Sequence, residues 1–428
     1  MILAVVGAGY VGMVCGVGFA KMGHQVILID IDSDKVDMIN QGRAPVYETG
    51  LDAALRGLAP TSLSATSTLD SDSIGNADAI FLCVQSSTAD CEGMDLTPVE
   101  RAARDVGVAL RNSSGYPVVV VKSTVSPGAT EKRILPILEE SSGKRAGVDF
   151  AVMANPEFLR EGNALADFLC PDRIVIGGVD TKGRAVLGEI YKDFGVPIIS
   201  VDRTTAEVIK CACNAFLAAK VSFINEVGNI CKALGVDTYK VAEAMGADPR
   251  ISPHFLKAGI GFGGSCLPKD TRSLCMVARE LGYEPILLES ILQVNDNQPL
   301  RLIEMAERKM GRLVGKKVTV LGLAFKAGTD DVRKSPAIQV TKGLCQRGAS
   351  VTVYDALAEE KAKGVLQDRV IYCPSAVEAI SQAEVVFVLT DSDEFKDVEL
   401  YSGKVVIDGR RVLDDGVRDG LDYEGICW

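Results

Sequence analysis

Short apolar runs broken by glycine turns alternate with helical stretches through the first half of the chain. Residues 1–6 (MILAVV) end in Gly7-Ala8-Gly9-Tyr10-Val11-Gly12, an apolar stretch continues to Met22, and a second apolar run at 25–29 closes on Asp30. The spacing predicts a strand, a tight glycine turn, a buried helix and a second strand. β-Branched runs at 79–84, 118–122, 150–153 and 174–176 alternate with helical segments and predict a doubly wound, mainly parallel sheet. From Arg203 to Leu234 the strand signals stop. Apolar residues there recur at helical spacing, without proline, and without glycine until Gly228. More helix is predicted over 238–245, 267–281 and 286–310. At Lys317 the strand pattern restarts with 317–321, a glycine-containing loop, a helix over 335–347, a strand over 350–354 closing on Asp355, and later strands at 385–389 and 405–407. This half echoes the stretch from Val5 to Asp30 but lacks G-x-G-x-x-G. It is expected to bind a nucleotide differently or to serve as scaffold.

The predicted fold is therefore α/β, with two Rossmann-like doubly wound parallel-sheet domains joined by a helical dimerisation domain that carries a long central helix. The expected boundaries are 1–200 for a dinucleotide-binding domain, 201–312 for the helical domain and 313–428 for the C-terminal domain. A long helix with an apolar face is a surface on which a second copy of the chain packs.

Composition narrows the classes of function. The chain has 428 residues, 47% apolar and 24% charged, as globular domains do. Its 46 basic and 57 acidic side chains leave a net charge of −11, the wrong sign for general nucleic-acid binding, so any anion must meet a local site. No apolar run reaches the length of a membrane span, and the first residues have no basic flank, so membrane insertion is not expected and a cytoplasmic location is. The 12 cysteines lie scattered without C-x-x-C pairs, which predicts reduced, mostly core thiols and no metal site. With His24 and His254 as the only histidines, cysteine is the favoured nucleophile for covalent chemistry.

Two motifs carry chemistry. In the first, Gly7 permits the tight turn, Gly9 lets backbone approach a pyrophosphate and Gly12 lets helix and strand pack closely. Asp30 then accepts from the ribose hydroxyls and disfavours a 2′-phosphate, which points to NAD; its competing role is to join the helix-capping cluster Asp32, Ser33 and Asp34. In the second, Gly261-Phe262-Gly263-Gly264-Ser265-Cys266-Leu267-Pro268-Lys269-Asp270 sets one cysteine at a predicted helix start beside a cation, a setting that favours a reactive thiolate over an inert packing thiol. Lys210 and Asn214 share one helix face and could serve an oxyanion or a water, or only solvation. Glu157 and Glu161 follow a strand end, where ligands of open α/β sheets sit, yet either could instead cap or pair with Arg160. Thr124 offers a hydroxyl at another strand end.

Together these segments resemble the UDP-glucose/GDP-mannose 6-dehydrogenase family, over nearly the whole chain. The resemblance is carried by GAGYVG, KSTVSPG, NPEFLREG, CPDRIVIGG, AEVIKCACNAFLAAKVSFINEVG, GADPRISPHFLKAGIGFGGSCLPKD and AFKAGTDDVRKSP. It implies a four-electron oxidation of a nucleotide-sugar C6 alcohol to the carboxylate with two NAD⁺ and one water. Cys266 is then the nucleophile, forming a thiohemiacetal and a thioester. Lys210 stabilises the oxyanion, Asn214 and Thr124 position alcohol and water, and Asp270 assists proton transfer. The resemblance further implies NAD contacts from Tyr10, Val11, Asp30, Lys35, Ser86, Thr124, Lys269 and Arg333. Around the nucleotide sugar it implies Glu157, Phe158, Leu159, Glu161, Phe255, Leu256, Gly259, Phe262, Gly263 and Lys326, with Arg250 reaching in from a neighbouring subunit. UDP-glucose is the first substrate expected. GDP-mannose, which the ending Glu424-Gly425-Ile426-Cys427-Trp428 resembles, and UDP-N-acetylhexosamines are the alternatives. A sensor of NAD or nucleotide sugar is the non-enzymatic one. Where relatives commonly carry Thr-Pro, this chain has Gln85-Ser86-Ser87.

Overall fold

The computed structural model describes residues 1–88, 94–413, 416 and 418–428. The chain divides into two compact units, Met1–Cys213 with Arg272–Leu281, and Asn214–Thr271 with Gly282–Trp428.

In the first unit the strands are β1 (Ile2–Val6), β2 (Gln25–Ile29), β3 (Leu63–Thr66), β4 (Ala79–Leu82), β5 (Ser87–Thr88), β6 (Met94–Asp95), β7 (Val118–Val121), β8 (Ala151–Ala154), β9 (Ile174–Gly177) and β10 (Ile198–Val201). Eight of them form one sheet in the order β10-β9-β8-β7-β4-β1-β2-β3, while β5 and β6 pair antiparallel by themselves. All pairings in the large sheet are parallel except β8 with β9. Strand alternation explains the burial of both faces: Leu3 and Val5 enter one apolar cluster, Ala4 and Val6 the other. The first helix, Tyr10–Lys21, buries nine of its twelve residues because helices cover both faces of such a sheet.

The second unit holds a six-stranded parallel sheet: β11 (Lys317–Leu321), β12 (Ser350–Tyr354), β13 (Ile371–Tyr372), β14 (Val385–Val388), β15 (Val405–Asp408) and β16 (Asp422–Gly425), in the order β13-β12-β11-β14-β15-β16. The two sheets thus share the dinucleotide-fold order, with a reversal point between β1 and β4 and between β11 and β14. The echo read from sequence is atomic in detail. Gly7 N–H donates to Ile29 at 2.7 Å and Ala8 N–H to Asp30 at 2.7 Å; Gly322 N–H donates to Tyr354 at 2.8 Å and Leu323 N–H to Asp355 at 2.7 Å. Asp355 goes on to accept from Ala324, Leu357 and Ala358, four donors in all, so its lone pairs are spent on its own backbone.

The helix predicted over 203–234 is observed as Arg203–Leu234. The single helix expected over 286–310 is instead two, Ile286–Asn297 and Leu300–Met310. Pro299 lies at the break; it lacks an N–H and crowds the preceding turn. Strands β3, β5, β6, β10, β13 and β16 were not expected. Their segments are short, and β10 is largely exposed, so none shows a buried apolar run. Among the described residues no helix is long and apolar enough to cross a membrane, and no cluster of histidine, cysteine or carboxylate could hold a metal.

Candidate functional site

The glycine turn in the first unit divides its labour as the spacing requires. Gly7 has φ +99°, and a Cβ on it would lie 3.0 Å from Val84 N; a Cβ on Gly12 would lie 1.8 Å from the Gly7 carbonyl oxygen. A Cβ on Gly9 would meet no protein atom within 4 Å. Gly9 is also the N-cap of the first helix and offers no side chain to its N–H groups. An open backbone ahead of uncapped helical N–H groups fits a pyrophosphate. Asp30 accepts from Ala8 and Asp32, and Lys35 lies 3.9 Å away. It is Asp32, not Asp30, that caps the following helix, which leaves Asp30 acceptor capacity for a ribose. These residues fit a dinucleotide. Gly9→Ala is expected to leave the melting temperature unchanged and weaken NAD binding about tenfold or more. Gly12→Ala should cost about 2–3 kcal/mol of stability by overpacking. Thermal melts and NAD titration check both, and full NAD affinity in Gly9→Ala would remove the pyrophosphate assignment.

In the same unit Ser86 donates to the Thr124 carbonyl at 2.7 Å, so the loop that lacks Thr-Pro is tied down by a hydroxyl instead. Thr124 lines a small pocket with Ser123, Thr130, Pro156, Glu207 and Lys210. Lys210 and Glu157 form a buried ion pair at 3.0 Å, and the Lys210 ammonium lies 5.5 Å from the Phe158 ring. Burial pushes the Glu157 carboxyl up, but the Lys210 charge, the Leu159 N–H and Lys122 outweigh it and hold it below the ordinary glutamate value. Leu159 N–H donates to Glu157 at 2.5 Å, which closes the turn NPEFL on itself. Arg160 pairs with Asp167 at 2.6 Å, so the alternative of an Arg160 pair with Glu157 or Glu161 is not observed. Glu161 is half-buried beside Gly162.

The second unit builds the cysteine loop. Cys266 is half-buried, opens the helix Cys266–Glu280 and has its Sγ 3.6 Å from Ser265 Oγ. The sulfur is thus not sealed in a core. One turn on, Asp270 is fully buried; it accepts from Asn214 at 2.5 Å and pairs with Lys269 at 2.7 Å. The structure therefore joins Asn214 to the Lys269-Asp270 pair, which sequence could only nominate separately. The glycines ahead of Cys266 serve close approach: a Cβ on Gly263 would lie 2.6 Å from the Lys334 carbonyl, and Gly264 N–H donates to Arg333 at 2.9 Å. Leu256 and Phe262 are buried, and Phe255 sits at φ +64°. Lys326 lies over the Phe325 ring at 5.8 Å and Arg333 forks onto Asp331. Arg250 is exposed and forks onto Asp248.

Several residues around these groups escaped the sequence reading. Asn295 clamps the Phe262 backbone from both sides, at 2.7 and 3.0 Å, while Asn225 and Gln298 hold Gly259 N–H and C=O at 2.8 and 2.9 Å. All three are buried amides, Asn225 and Asn295 on helices and Gln298 in the break before Pro299, and amides inside predicted helical stretches were the available signal. Arg410, donating to Phe325 and Leu389, follows the end of β15 in the run Asp408-Gly409-Arg410-Arg411, a strand-end position of the kind weighed in the first half. Glu207 accepts from Gly128 at 2.5 Å and Thr130 at 2.9 Å, and burial pushes its carboxyl above the ordinary value.

Known proteins resemble the chain over its whole length. Residues 1–195 match the NAD binding domain of the UDP-glucose/GDP-mannose dehydrogenase family, 204–297 its central domain and 319–415 its UDP binding domain. The chain is 42% identical to a UDP-glucose 6-dehydrogenase of Haloferax volcanii, covering 100% of both. It is 36% identical to a GDP-mannose 6-dehydrogenase of Pseudomonas putida, again covering 100% of both. A UDP-glucose dehydrogenase structure from the hyperthermophilic archaeon Pyrobaculum islandicum superposes with a TM-score of 0.95 at 44% identity, over 100% of this chain and 98% of that one. With the glycine turn, the buried Lys210 and the Cys266 loop all in place, the chain belongs to the UDP-glucose/GDP-mannose dehydrogenase family of NAD-dependent nucleotide-sugar dehydrogenases.

Proposed function

We propose that the protein oxidises UDP-glucose to UDP-glucuronate, with Cys266 carrying the sugar carbon covalently between the two oxidations. The observation that bears most weight is the half-buried Cys266 thiol at the start of its helix, one turn before the Asn214–Asp270–Lys269 cluster. Bound NAD⁺ supplies the hydride acceptor for each oxidation. The C6 alcohol gives up a hydride and a proton to become an aldehyde, and the Cys266 sulfur adds to that carbon to form a thiohemiacetal. Loss of a second hydride and proton leaves a thioester. Water then breaks the C–S bond, releasing the carboxylate and the thiol.

Lys210 serves the oxyanion, a role suited to a buried ammonium whose counter-charge, Glu157, is already fixed. Asp270 receives the proton from water or thiol, with Asn214 and Thr124 positioning the oxygens. The dinucleotide is held by Gly7, Gly9, Tyr10, Val11, Gly12, Asp30, Lys35, Ser86, Thr124, Lys269 and Arg333. The sugar nucleotide is held by Glu157, Phe158, Leu159, Glu161, Phe255, Leu256, Gly259, Phe262, Gly263 and Lys326, with Arg250 given to a second subunit and Arg410 added as a further cation. The division 1–200, 201–312 and 313–428 stays the working description of the domains, and the cytoplasm the working location, to be checked by cell fractionation.

UDP-glucose is preferred over GDP-mannose because the matches to UDP-glucose enzymes are the more identical, at 38–42% against 35–37%. Absorbance of NADH with UDP-glucose, GDP-mannose and UDP-N-acetylhexosamines in turn tests the reading. UDP-glucose is expected to give two NADH per sugar consumed, since each hydride reduces one NAD⁺. One NADH per sugar overturns the four-electron reaction, a better second sugar overturns the substrate, and no NADH with any sugar favours a sensor.

The proposal includes a homodimer. Phe216, Phe223 and Ile230, spaced seven residues apart on the long helix, are 67%, 52% and 57% exposed. Three large apolar groups on one helix face in water are a packing surface. Light scattering should give twice the chain mass, falling to one chain in Phe223→Asp; a monomeric native protein ends this part of the reading.

A further inference from the structure

Glu48 lies between the helices Ser33–Asn40 and Leu51–Arg56, outside every motif above, and is 5% exposed. A carboxylate removed from water this far is costly unless several donors satisfy it. Three do, from two separate segments of the first unit. Glu48 Oε2 accepts from the Tyr10 hydroxyl and from Gly162 N–H at 2.7 Å, and Oε1 accepts from Ala164 N–H at 2.8 Å. Gly162 N–H also reaches the Tyr10 oxygen at 2.8 Å, so the three groups close a ring. Tyr10 is the first residue of the helix that the glycine turn leads into, Gly162 directly follows Glu161, and Ala164 lies two residues further on.

We propose that Glu48 is a positioning residue that joins the dinucleotide turn to the NPEFLREG loop, so that the placement of cofactor and of sugar is set by one carboxylate. The inference rests on the proposed function for the identity of the sugar but not for the NAD side. The Gly162 and Ala164 donors tie Glu48 to one loop only. The hydrogen bond from Tyr10 adds the cofactor turn, and a displacement of either loop by about 1 Å is enough to cost about 10²-fold in rate. In Glu48→Gln the side-chain amide turns an N–H toward a backbone N–H, donor against donor, on one side of the ring. Tyr10→Phe opens the ring from the other side and leaves Glu48 on Gly162 and Ala164.

The test uses the full chain. NAD affinity is measured by calorimetric titration without sugar, and KM for NAD and for UDP-glucose are measured with kcat and the melting temperature. Glu48→Gln is expected to weaken NAD binding and raise KM for the sugar, each about tenfold. Tyr10→Phe should shift NAD in the same direction, with a smaller effect on the sugar. Unchanged NAD affinity in both folded variants, or a melting-temperature loss alone, overturns the inference; so does a change confined to one substrate in Glu48→Gln. If Glu48→Gln fails to fold, Glu48→Asp, which keeps the charge but draws it back from the Tyr10 hydroxyl and Gly162 N–H, decides on NAD affinity. If the native protein oxidises no UDP-glucose, the substrate reading has failed, while the NAD titration still tests the tie to the cofactor turn.

Discussion

Cys266→Ala is expected to abolish uronate formation, with steady-state turnover down by about 10⁴-fold or more, while NAD and nucleotide-sugar binding stay close to native. The residue is half-buried at a helix start and its removed sulfur contacts Ser265, so the substitution opens little space and disturbs no dense packing. The melting temperature should therefore move by no more than a few degrees. Without the sulfur there is no covalent attachment from which a second hydride can leave, and no thioester for water to cleave. Product chromatography and NADH absorbance measure the loss, and NAD titration measures what remains. Uronate at near-native rate would show that the thiol carries no sugar. Loss of NAD binding along with activity would show a structural cysteine.

The fold was legible where physics writes directly into the pattern. The apolar run Ile2–Val6, buried on both faces, the glycine turn and Asp30 define a strand, a close helix and a second strand, and Gly7, Gly9 and Gly12 show the tight turn, the open backbone and the close packing that their spacing implied. The repetition at Lys317–Asp355 was equally visible because the same turn chemistry recurs, down to the pairs Gly7–Ile29 and Gly322–Tyr354. What sequence could not show is which polar groups meet. Asn214 and Asp270 are 56 positions apart and share a hydrogen bond; Tyr10 and Gly162 are 152 apart. Nothing in helical or strand period encodes such pairs. The buried amides Asn225, Asn295 and Gln298 were missed for the related reason that a polar residue in a helix looks like a solvated face until its partner is known. The break at Pro299 was the one error with a signal in plain sight, a proline inside an otherwise helical run.

Lys210→Met is expected to lose both activity and stability, and the two losses separate in a second variant. The Lys210–Glu157 pair is out of water, 3% and 6% exposed, with 3.0 Å between charges. Taking away the ammonium leaves Glu157 without its nearest cation, and breaking a buried pair from one side costs about 3–5 kcal/mol. For a unit of this size that lowers the melting temperature on the order of 10 °C. The rate should fall about 10²–10³-fold, the usual loss for one oxyanion donor. Adding Glu157→Leu removes the stranded carboxylate and should restore most of the stability and none of the activity. A double variant that recovers both would make Lys210 structural only, and a single variant with native turnover would end its catalytic assignment. Acid should act on the same pair. Because the Glu157 carboxyl is held below the ordinary glutamate value, its share of stability is present in full above the unfolded glutamate range and is lost as pH falls through the folded value. The native protein is therefore expected to lose more stability between pH 5 and the acid side than the double variant does, in melts taken across that range.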